Sequence, residues 1–560
     1  MEKWVVTAKK ADFNEIARKF DIDPVIARII RNRDVIGEDD IRLFLHGSIE
    51  DLHDPMLFKD MEKAVRILKE KIASGKRIRI IGDYDIDGIM SSFILKTGFR
   101  ELGADVDIKI PDRIMDGYGI NENLIRKAAE DGIDTIVTCD NGISAGEQIR
   151  LAKELGLTVI VTDHHEVMNV PDAADAVIDQ KQKDCPYPFK ELCGAAVAWK
   201  LVLAMGGDRH KKLLQFVAFA TVGDVVDLTG ENRILVKEGL KQLRHTENTG
   251  LSALAEACRL DLETIDSYHI GFILGPCMNA SGRLDTALRA CSLLEEKNPI
   301  EASRMAFELK ELNDSRKAMT EKGVEEALAL VESNDIRKDK IFVLFLPEVH
   351  ESLAGIVAGR VREKYNHPVF VLTRSEEGVK GSGRSIEAYK MFDGLVGVAH
   401  LLKKFGGHPM AAGLSLDEEN IEEFRRQINA QCTLEPDEFI CKVVIDVPMP
   451  LRYVTEELVQ QLELLAPFGK ANPRPVFAQK GVVCANPRIY GANRNVLKTR
   501  LSVQSEGSYG MTMVDGIAFR NAEELMERIE TGKPLSIVYY PQINEYMGRK
   551  NVQIVITRFA

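Results

Sequence analysis

An α/β fold is predicted for most of this 560-residue chain, followed by a β-rich C-terminal region. Three observations lead there. Between residues 78 and 162, apolar strand-like runs alternate with helical patterns, the order that specifies a parallel sheet covered by helices. A second alternation of the same kind begins at 341. Residues 442–560 instead carry short alternating strands such as 552–557.

Taken in order, residues 1 to about 70 read as short helices with an Asp-Pro turn at Asp54-Pro55. A strand at 78–81 is followed by a helix at 91–102, stopped by Gly103. Then come a strand at 106–110, a helix at 122–130, a strand at 135–139 and a helix at 145–155. The strand 157–162 closes this series. From 195 to about 260 the chain reads as mainly helical. From 286 to 333 it is rich in Ala, Glu, Leu and Lys, which favours long helices joining two lobes. Strands at 341–346 and 369–372 open the second α/β unit. Gly-Ser-Gly-Arg-Ser at 381–385 reads as a Gly-rich turn, with Phe-Gly-Gly-His following at 405–408.

Composition narrows the class. The chain is 45% hydrophobic and 29% charged, as in a soluble globular protein of two to four domains. It has no apolar stretch of membrane-spanning length and no secretory leader, so no membrane association is expected. Nine cysteines show no Cys-x-x-Cys spacing, which argues against a disulfide framework and a zinc ribbon, and for a reducing cytoplasm. The net charge of −12 argues against a nucleic-acid partner only when averaged. Residues 467–505 hold seven basic side chains (Lys470, Arg474, Lys480, Arg488, Arg494, Lys498, Arg500) and no acidic one, with Phe468, Phe477 and Tyr490 among them.

The most informative feature is a set of acidic and acid–histidine clusters, each placed where an apolar run stops. They are Asp83-Tyr84-Asp85-Ile86-Asp87, Asp140-Asn141-Gly142, Asp163-His164-His165 and Gly223-Asp224. Open α/β sheets bind ligands at the carboxyl ends of their strands. An Asp before a helix is a common N-cap, but a cap needs one carboxylate, and three within five residues repel unless a cation holds them. Asp140 suits a turn as well as a ligand role. Asp224 alone is an ordinary helix-end residue. Together the clusters offer oxygen and nitrogen donors, a set for Mn²⁺ or Mg²⁺ rather than structural zinc. Two such cations would activate a water and stabilise a departing oxygen, the chemistry of phosphate-ester hydrolysis.

These motifs, in this order, resemble the DHH phosphoesterase superfamily, and within it the RecJ family of single-strand-specific DNA exonucleases. Further similar motifs are Ile110-Pro-Asp-Arg-Ile, Gly117-Tyr-Gly, Met278-Asn-Ala-Ser-Gly-Arg-Leu, Lys380-Gly-Ser-Gly-Arg-Ser, Lys404-Phe-Gly-Gly-His-Pro-Met-Ala-Ala-Gly and Leu465-Ala-Pro-Phe-Gly. The resemblance implies an N-terminal helical region (1–70), a parallel-sheet DHH domain (71–285) and a long helical connector (286–335). A second α/β DHH-associated domain (336–437) and an all-β, OB-like nucleic-acid-binding domain (438–560) would follow. It implies Asp85, Asp87, Asp140, His164 and Asp224 as ligands of two Mn²⁺ or Mg²⁺ ions. Asp83 would be an accessory ligand, His165 a supporting catalytic residue, and Asp163 would orient the histidines. Arg113, Arg283, Ser382, Arg384 and His408 would bind substrate, the arginines by forked contacts to a 5′ phosphate.

The implied activity is 5′→3′ hydrolysis of single-stranded DNA to 5′ mononucleotides in recombination and repair. Single-stranded DNA is the implied partner, with a single-strand-binding protein and a helicase as candidate protein partners. The alternative is a DHH phosphodiesterase for short oligonucleotides or cyclic dinucleotides, against which the extra β domain argues. Two departures from the family pattern concern the second lobe: Val349-His350-Glu351-Ser352 replaces Trp-His-Glu-Gly, and Pro276-Cys277 replaces Pro-Arg.

Overall fold

Four all-apolar or nearly apolar segments form the centre of the first lobe because neither face of their sheet meets water. The computed structural model describes residues 2–112, 119–333, 335–375, 378–491, 493–503, 513–546 and 548–560. In the first lobe five parallel strands run in the spatial order Val106–Lys109, Ile78–Ile81, Thr135–Cys139, Thr158–Thr162, Ala176–Ile178. The first strand in sequence thus lies second in space. The chain reverses its winding between Ile78–Ile81 and Thr135–Cys139, and such a switch point opens a crevice at the carboxyl edge. Ala176–Ile178 extends the series beyond the strand expected to close it. Its three apolar residues are too short a run to stand out in the sequence, and pairing with Thr158–Thr162 makes it a strand.

Helices Ile86–Glu101, Gly194–Gly206 and Leu214–Gly223 are buried almost all round, so they lack an amphipathic stripe. The apolar run 218–222 before Asp224 is helix, within the stretch read as mainly helical, and Asp224 is its C-cap. The connector is one helix, Pro299–Ser333, about 50 Å long at 1.5 Å per residue. Its buried residues Ala302, Ala306, Leu309, Asn313, Thr320, Gly323, Ala327 and Val331 keep close to one face. Its first half packs on the catalytic lobe and its second half on the helix Ala354–Tyr365.

The second lobe is a mixed five-stranded sheet, ordered Lys404–His408, Ala411–Leu416, Gly378–Arg384, Val369–Ser375, Phe342–Phe345. The Gly-Ser-Gly-Arg segment lies within a strand, correcting the expected turn. The alternation explains why. A Cβ on Gly381 would meet Leu372 at 2.4 Å, and one on Gly383 would meet Met391 at 2.3 Å. Glycine lets the sheet pack tightly on that side, so Lys380, Ser382 and Arg384 project from the opposite face.

The C-terminal strands Phe477–Tyr490, Val496–Val503, Met513–Ala518, Arg549–Phe559 and Leu535–Tyr546 close on themselves, because the last also pairs with the first. That is a five-stranded OB-like barrel, accompanied by the short helices Glu456–Leu462 and Ala522–Glu530. The N-terminal segment is not helical throughout. It opens on the strand Glu2–Val6, rich in Trp and Val, which pairs in parallel with Cys441–Ile445. The helix Pro24–Asn32 then buries Ile26, Ile29 and Ile30 in one core with Val447, Leu458 and Leu465. Each such isoleucine contributes about 1.5–3 kcal/mol. The two chain ends are therefore one packing unit. Arg33 reinforces it through Asp446 at 2.6 Å, and the buried Arg233 donates to the carbonyls of Phe44, Leu464 and Leu465.

Candidate active site

Each acidic cluster is delivered to the crevice by a specific backbone device. Asp85 caps the helix Ile86–Glu101, accepting from the N–H groups of Asp87 and Gly88. The turn needs glycine at 88, since a Cβ there would lie 2.4 Å from the Asp83 carbonyl oxygen. Asp87 is fully buried, and its two oxygens accept from the N–H groups of Gly194 and Ala195 at 2.6 and 2.8 Å. Those donors open the helix Gly194–Gly206, whose N-terminal dipole favours a carboxylate. Asp140 sits at φ 60°, a left-handed conformation that Asp tolerates, so the Asp-Asn-Gly segment is both a turn and a site element. Asn141 ties this turn to the sheet by donating to the carbonyls of Ile81 and Cys139.

Asp163 organises the histidine pair. Its Oδ1 accepts from the backbone N–H of His164 and His165 and lies 2.8 Å from His165 Nδ1, while its Oδ2 accepts from Ile143 N–H. His164 Nε2 lies in the crevice, 3.0 Å from Asp140 Oδ1 and 3.5 Å from Asp87 Oδ2.

The result is two disjoint triads of ligand atoms. Asp83, Asp85 and Asp140 form one; Asp87, His164 and Asp224 form the other; within each triad the atoms lie within 4.8 Å of one another. Asp140, His164 and His165 make a third, overlapping group. The electrostatics show that this set calls for positive charge. Burial, then the Asp85 carboxylate, pushes Asp87 up to about 7. Burial and the charges of Asp87 and Asp85 push Asp224 up to about 8, and burial and its acidic neighbours hold Asp140 well above the carboxylate range. These groups retain protons where a cation would otherwise compensate them. His164 moves the other way: burial and the neighbouring His165 push it down to about 3, leaving a neutral imidazole suited to ligation. His165 is more exposed. Burial opposes its charge, but the Asp163 hydrogen bond outweighs that and raises it to about 9. Carboxylate oxygens plus one or two imidazoles fit Mn²⁺ or Mg²⁺.

Sequence reasoning missed several supports of this site. Asn279 Oδ1 accepts from Ile86 N–H at 2.8 Å, locking the Met278–Leu284 motif under the acidic loop. Gly194 is needed because a Cβ would approach Asp140 and Asp87 to 2.8 and 3.0 Å. Asp179 follows the short strand Ala176–Ile178, and burial pushes its carboxyl up to about 7. Only its place after an apolar triplet could have marked it.

The remaining sequence-predicted residues are not part of the metal cluster. Arg283 Nη1 donates to the Ser352 carbonyl at 2.9 Å, so it bridges the two lobes. Ser352, a departure from the family pattern, makes that contact through its backbone. Ser382 faces a cavity of about 260 Å³ also lined by Glu351, Thr373, Lys380 and Gly413. Arg384 lies two residues along on the same face, against Gly355, where a Cβ would crowd its guanidinium at 2.7 Å. His408 ends an exposed strand opposite Ala411. Arg113 lies outside the described residues.

The basic C-terminal segment is less uniform than its sequence. Lys470, Arg494 and Arg500 meet Asp227, Asp515 or Glu523 from elsewhere in the chain. Phe477 is core, whereas Tyr490 is exposed beside Lys498, and Arg474 lies over the rings of Phe468 and Tyr540.

Family models match three stretches: the DHH family N-terminal domain at 77–221, the DHHA1 domain at 338–433 and the RecJ OB domain at 445–558. The chain is 36% identical to the single-stranded-DNA-specific exonuclease RecJ of Bacillus subtilis, covering 99% of this chain and 70% of that one. It belongs to the RecJ family. Escherichia coli RecJ is 34% identical, with 96% of both chains covered. Among solved structures, Thermus thermophilus RecJ in complex with Mn²⁺ superposes with a TM-score of 0.82 at 27% identity, covering 100% of this chain and 79% of that one. Its complex with Mg²⁺ gives a TM-score of 0.77. The likeness spans the parallel-sheet lobe, the helical connector, the second α/β lobe and the barrel, as the sequence led us to expect.

Proposed function

We propose that the chain is a metal-dependent exonuclease that hydrolyses single-stranded DNA from the 5′ end to 5′ mononucleotides. The observation that carries this reading is the pair of ligand triads at the switch point of the first sheet, in a chain of the RecJ family. Asp83, Asp85 and Asp140 would hold one Mn²⁺ or Mg²⁺, and Asp87, His164 and Asp224 the other. When bound, the two ions supply a nucleophilic hydroxide near neutral pH and compensate charge on the departing oxygen. Asp163 fixes the His165 imidazole and the backbone of His164, so His165 presents a charged ring to the phosphate while His164 Nε2 faces Asp140 and Asp87. The Gly194 and Ala195 N–H groups hold Asp87 in one orientation.

On the second lobe, Ser382 and Arg384 project from one strand face. With Arg283 at the lobe junction, and with Arg113 and His408, they form the proposed seat of the 5′ phosphate. Guanidinium forks bind phosphate oxygens bidentately, so this face selects a phosphorylated end. The barrel holds the strand behind it. A closed OB-like barrel offers a long track that a dinucleotide does not need, which favours this reading over the small-substrate phosphodiesterase.

Such an enzyme needs strands already opened. A helicase that unwinds duplex and a single-strand-binding protein that coats the product are therefore the proposed partners. A cytoplasmic setting is supported by all nine cysteines being free thiols. No helix among the described residues is long and apolar enough to cross a membrane. Degradation of 5′-phosphorylated and 5′-hydroxyl strands, compared side by side in Mn²⁺, tests the assignment of the two lobes. The phosphorylated strand should be consumed faster.

A further inference from the structure

A stacked aromatic pair stands exposed beside the metal edge, on the catalytic lobe rather than on the barrel. Tyr268 and Phe272 are 58% and 67% exposed, their ring centroids 5.0 Å apart at 27°. Large aromatic surface of that kind is costly to leave in water unless something covers it. The backbone beneath is unusual too: Phe272 lies in the π-helical turn Ile270–Leu274, a rare geometry that is frequent at functional sites. The turn packs on the end of the helix that carries Asp224, with Gly271 against Val222. Val225, next to Asp224, is itself 61% exposed.

On its other side the pair meets the barrel. Ser267 Oγ, next to Tyr268 in the chain, donates to the Phe468 carbonyl at 2.5 Å. Arg474 lies 5.0 Å from the Phe468 ring and 5.3 Å from that of Tyr540. The surface from Asp224 to the barrel thus runs through exposed apolar rings and ends on a guanidinium. A protein partner of ordinary size would need a broader apolar patch. A single nucleic-acid strand needs this combination: flat rings for bases and a cation for phosphate.

We propose that Tyr268 and Phe272 form a base-stacking platform on the catalytic lobe, which holds one or two bases of the single strand between the metal edge and the barrel. The proposal rests on the single-strand reading of the site and deepens it. It makes the lobe that cuts also a lobe that grips, at a fixed distance from the scissile bond. The platform is sequence-tolerant, because every base has a π face. It is sensitive to loss of a base at one place in the strand.

The test uses 5′-phosphorylated oligothymidylates of equal length, each with one abasic residue at a different position. Binding to the full-length protein is read by fluorescence anisotropy in EDTA, which prevents cleavage. The wild-type protein should lose about tenfold in affinity when the abasic residue occupies one or two particular positions. The Tyr268→Ala, Phe272→Ala double variant should bind the intact strand about tenfold more weakly and lose the dip at those positions. Phe272→Leu keeps apolar bulk without a π face and should show a weakened dip; Phe272→Trp should preserve it. Both rings are exposed, so circular dichroism and thermal melting should match the wild type. A double variant that keeps wild-type affinity and the same positional profile overturns the platform. Strand cleavage in Mn²⁺ by that variant would leave the exonuclease reading standing. A wild-type protein that binds no single strand would sink both, and absence of Mn²⁺-dependent cleavage identifies that case.

Discussion

The two α/β lobes use the same architecture to opposite electrostatic ends. In the first, strands stop at a crevice where buried carboxylates crowd until Asp87 and Asp224 are raised to about 7 and 8. In the second, glycines on one strand face push Lys380, Ser382 and Arg384 onto the other. On the proposed reading, one lobe would collect cations and the other phosphate oxygens. A phosphodiester held between them would meet the ions' ligands on one side and fixed positive charge on the other. The site's chemistry is thus divided between lobes, and the helix Pro299–Ser333 that joins them sets their separation.

The sharpest way to break this division is to damage one lobe at a time. Asp140→Ala should lower turnover by two to three orders of magnitude or more, because Asp140 belongs to one triad and touches His164 of the other. The fold should survive, since the change removes a repelled buried carboxylate. Stopped assays in a metal-defined buffer, with circular dichroism alongside, check both parts. Arg384→Ala should act differently. We expect about a tenfold loss on 5′-phosphorylated strands and a much smaller one on 5′-hydroxyl strands. Equal losses would mean that Arg384 positions the lobe and does not read the phosphate.

The raised carboxyl groups give a third prediction, on stability. Their folded pKa values exceed those of the unfolded chain, so these carboxyl groups hold more protons in the metal-free folded protein than in the unfolded one above about pH 4. Their contribution to stability is full below that pH and is lost as pH rises through about 7 to 8. The melting temperature of the metal-free protein should therefore fall by several degrees between pH 5 and pH 8. Excess Mn²⁺ should reverse the trend by replacing the protons. An unchanged melting temperature across that range, with and without metal, would mean that the carboxylates are not strained by their crowding.

Most of the first lobe was legible because its physics is local. Apolar runs mark strands buried on both faces, and repelling carboxylates at their ends are hard to explain by packing. Ala176–Ile178 was too short to register, whereas the buried helix over 218–222 falls in the stretch read as mainly helical. The Gly-Ser-Gly-Arg segment misled because glycine signals turns; here it signals close packing of Leu372, Phe370 and Met391. The supports Asn279 and Gly194 act through contacts between distant residues, which no single-sequence pattern displays. The N-terminal helices gave no sign that they share a core with the barrel.

That shared core changes how the barrel should be tested. Deleting residues from Cys441 onward would strip the partners of Ile26, Ile29 and Ile30 and leave Arg233 without two of its acceptors. Point changes are the cleaner probe. Arg474→Ala and Lys498→Ala should each lower the salt slope of single-strand binding by about 0.7, while Arg494→Ala, which already pairs with Glu523, should lower it less. Titrations at several salt concentrations would show whether the barrel contributes charge or only surface.

The central claim is a metal-dependent cut that starts from a 5′ end of a single strand. Its most direct test follows single- and double-stranded DNA, labelled at either end, with purified protein in Mn²⁺, in Mg²⁺ and in EDTA. Labelled mononucleotide should be released at once from the 5′-labelled single strand and the 3′-labelled one should shorten progressively, with little action on blunt duplex and none in EDTA. Shortening from the 3′ end, equal attack on duplex, or cleavage that persists without divalent metal would contradict it.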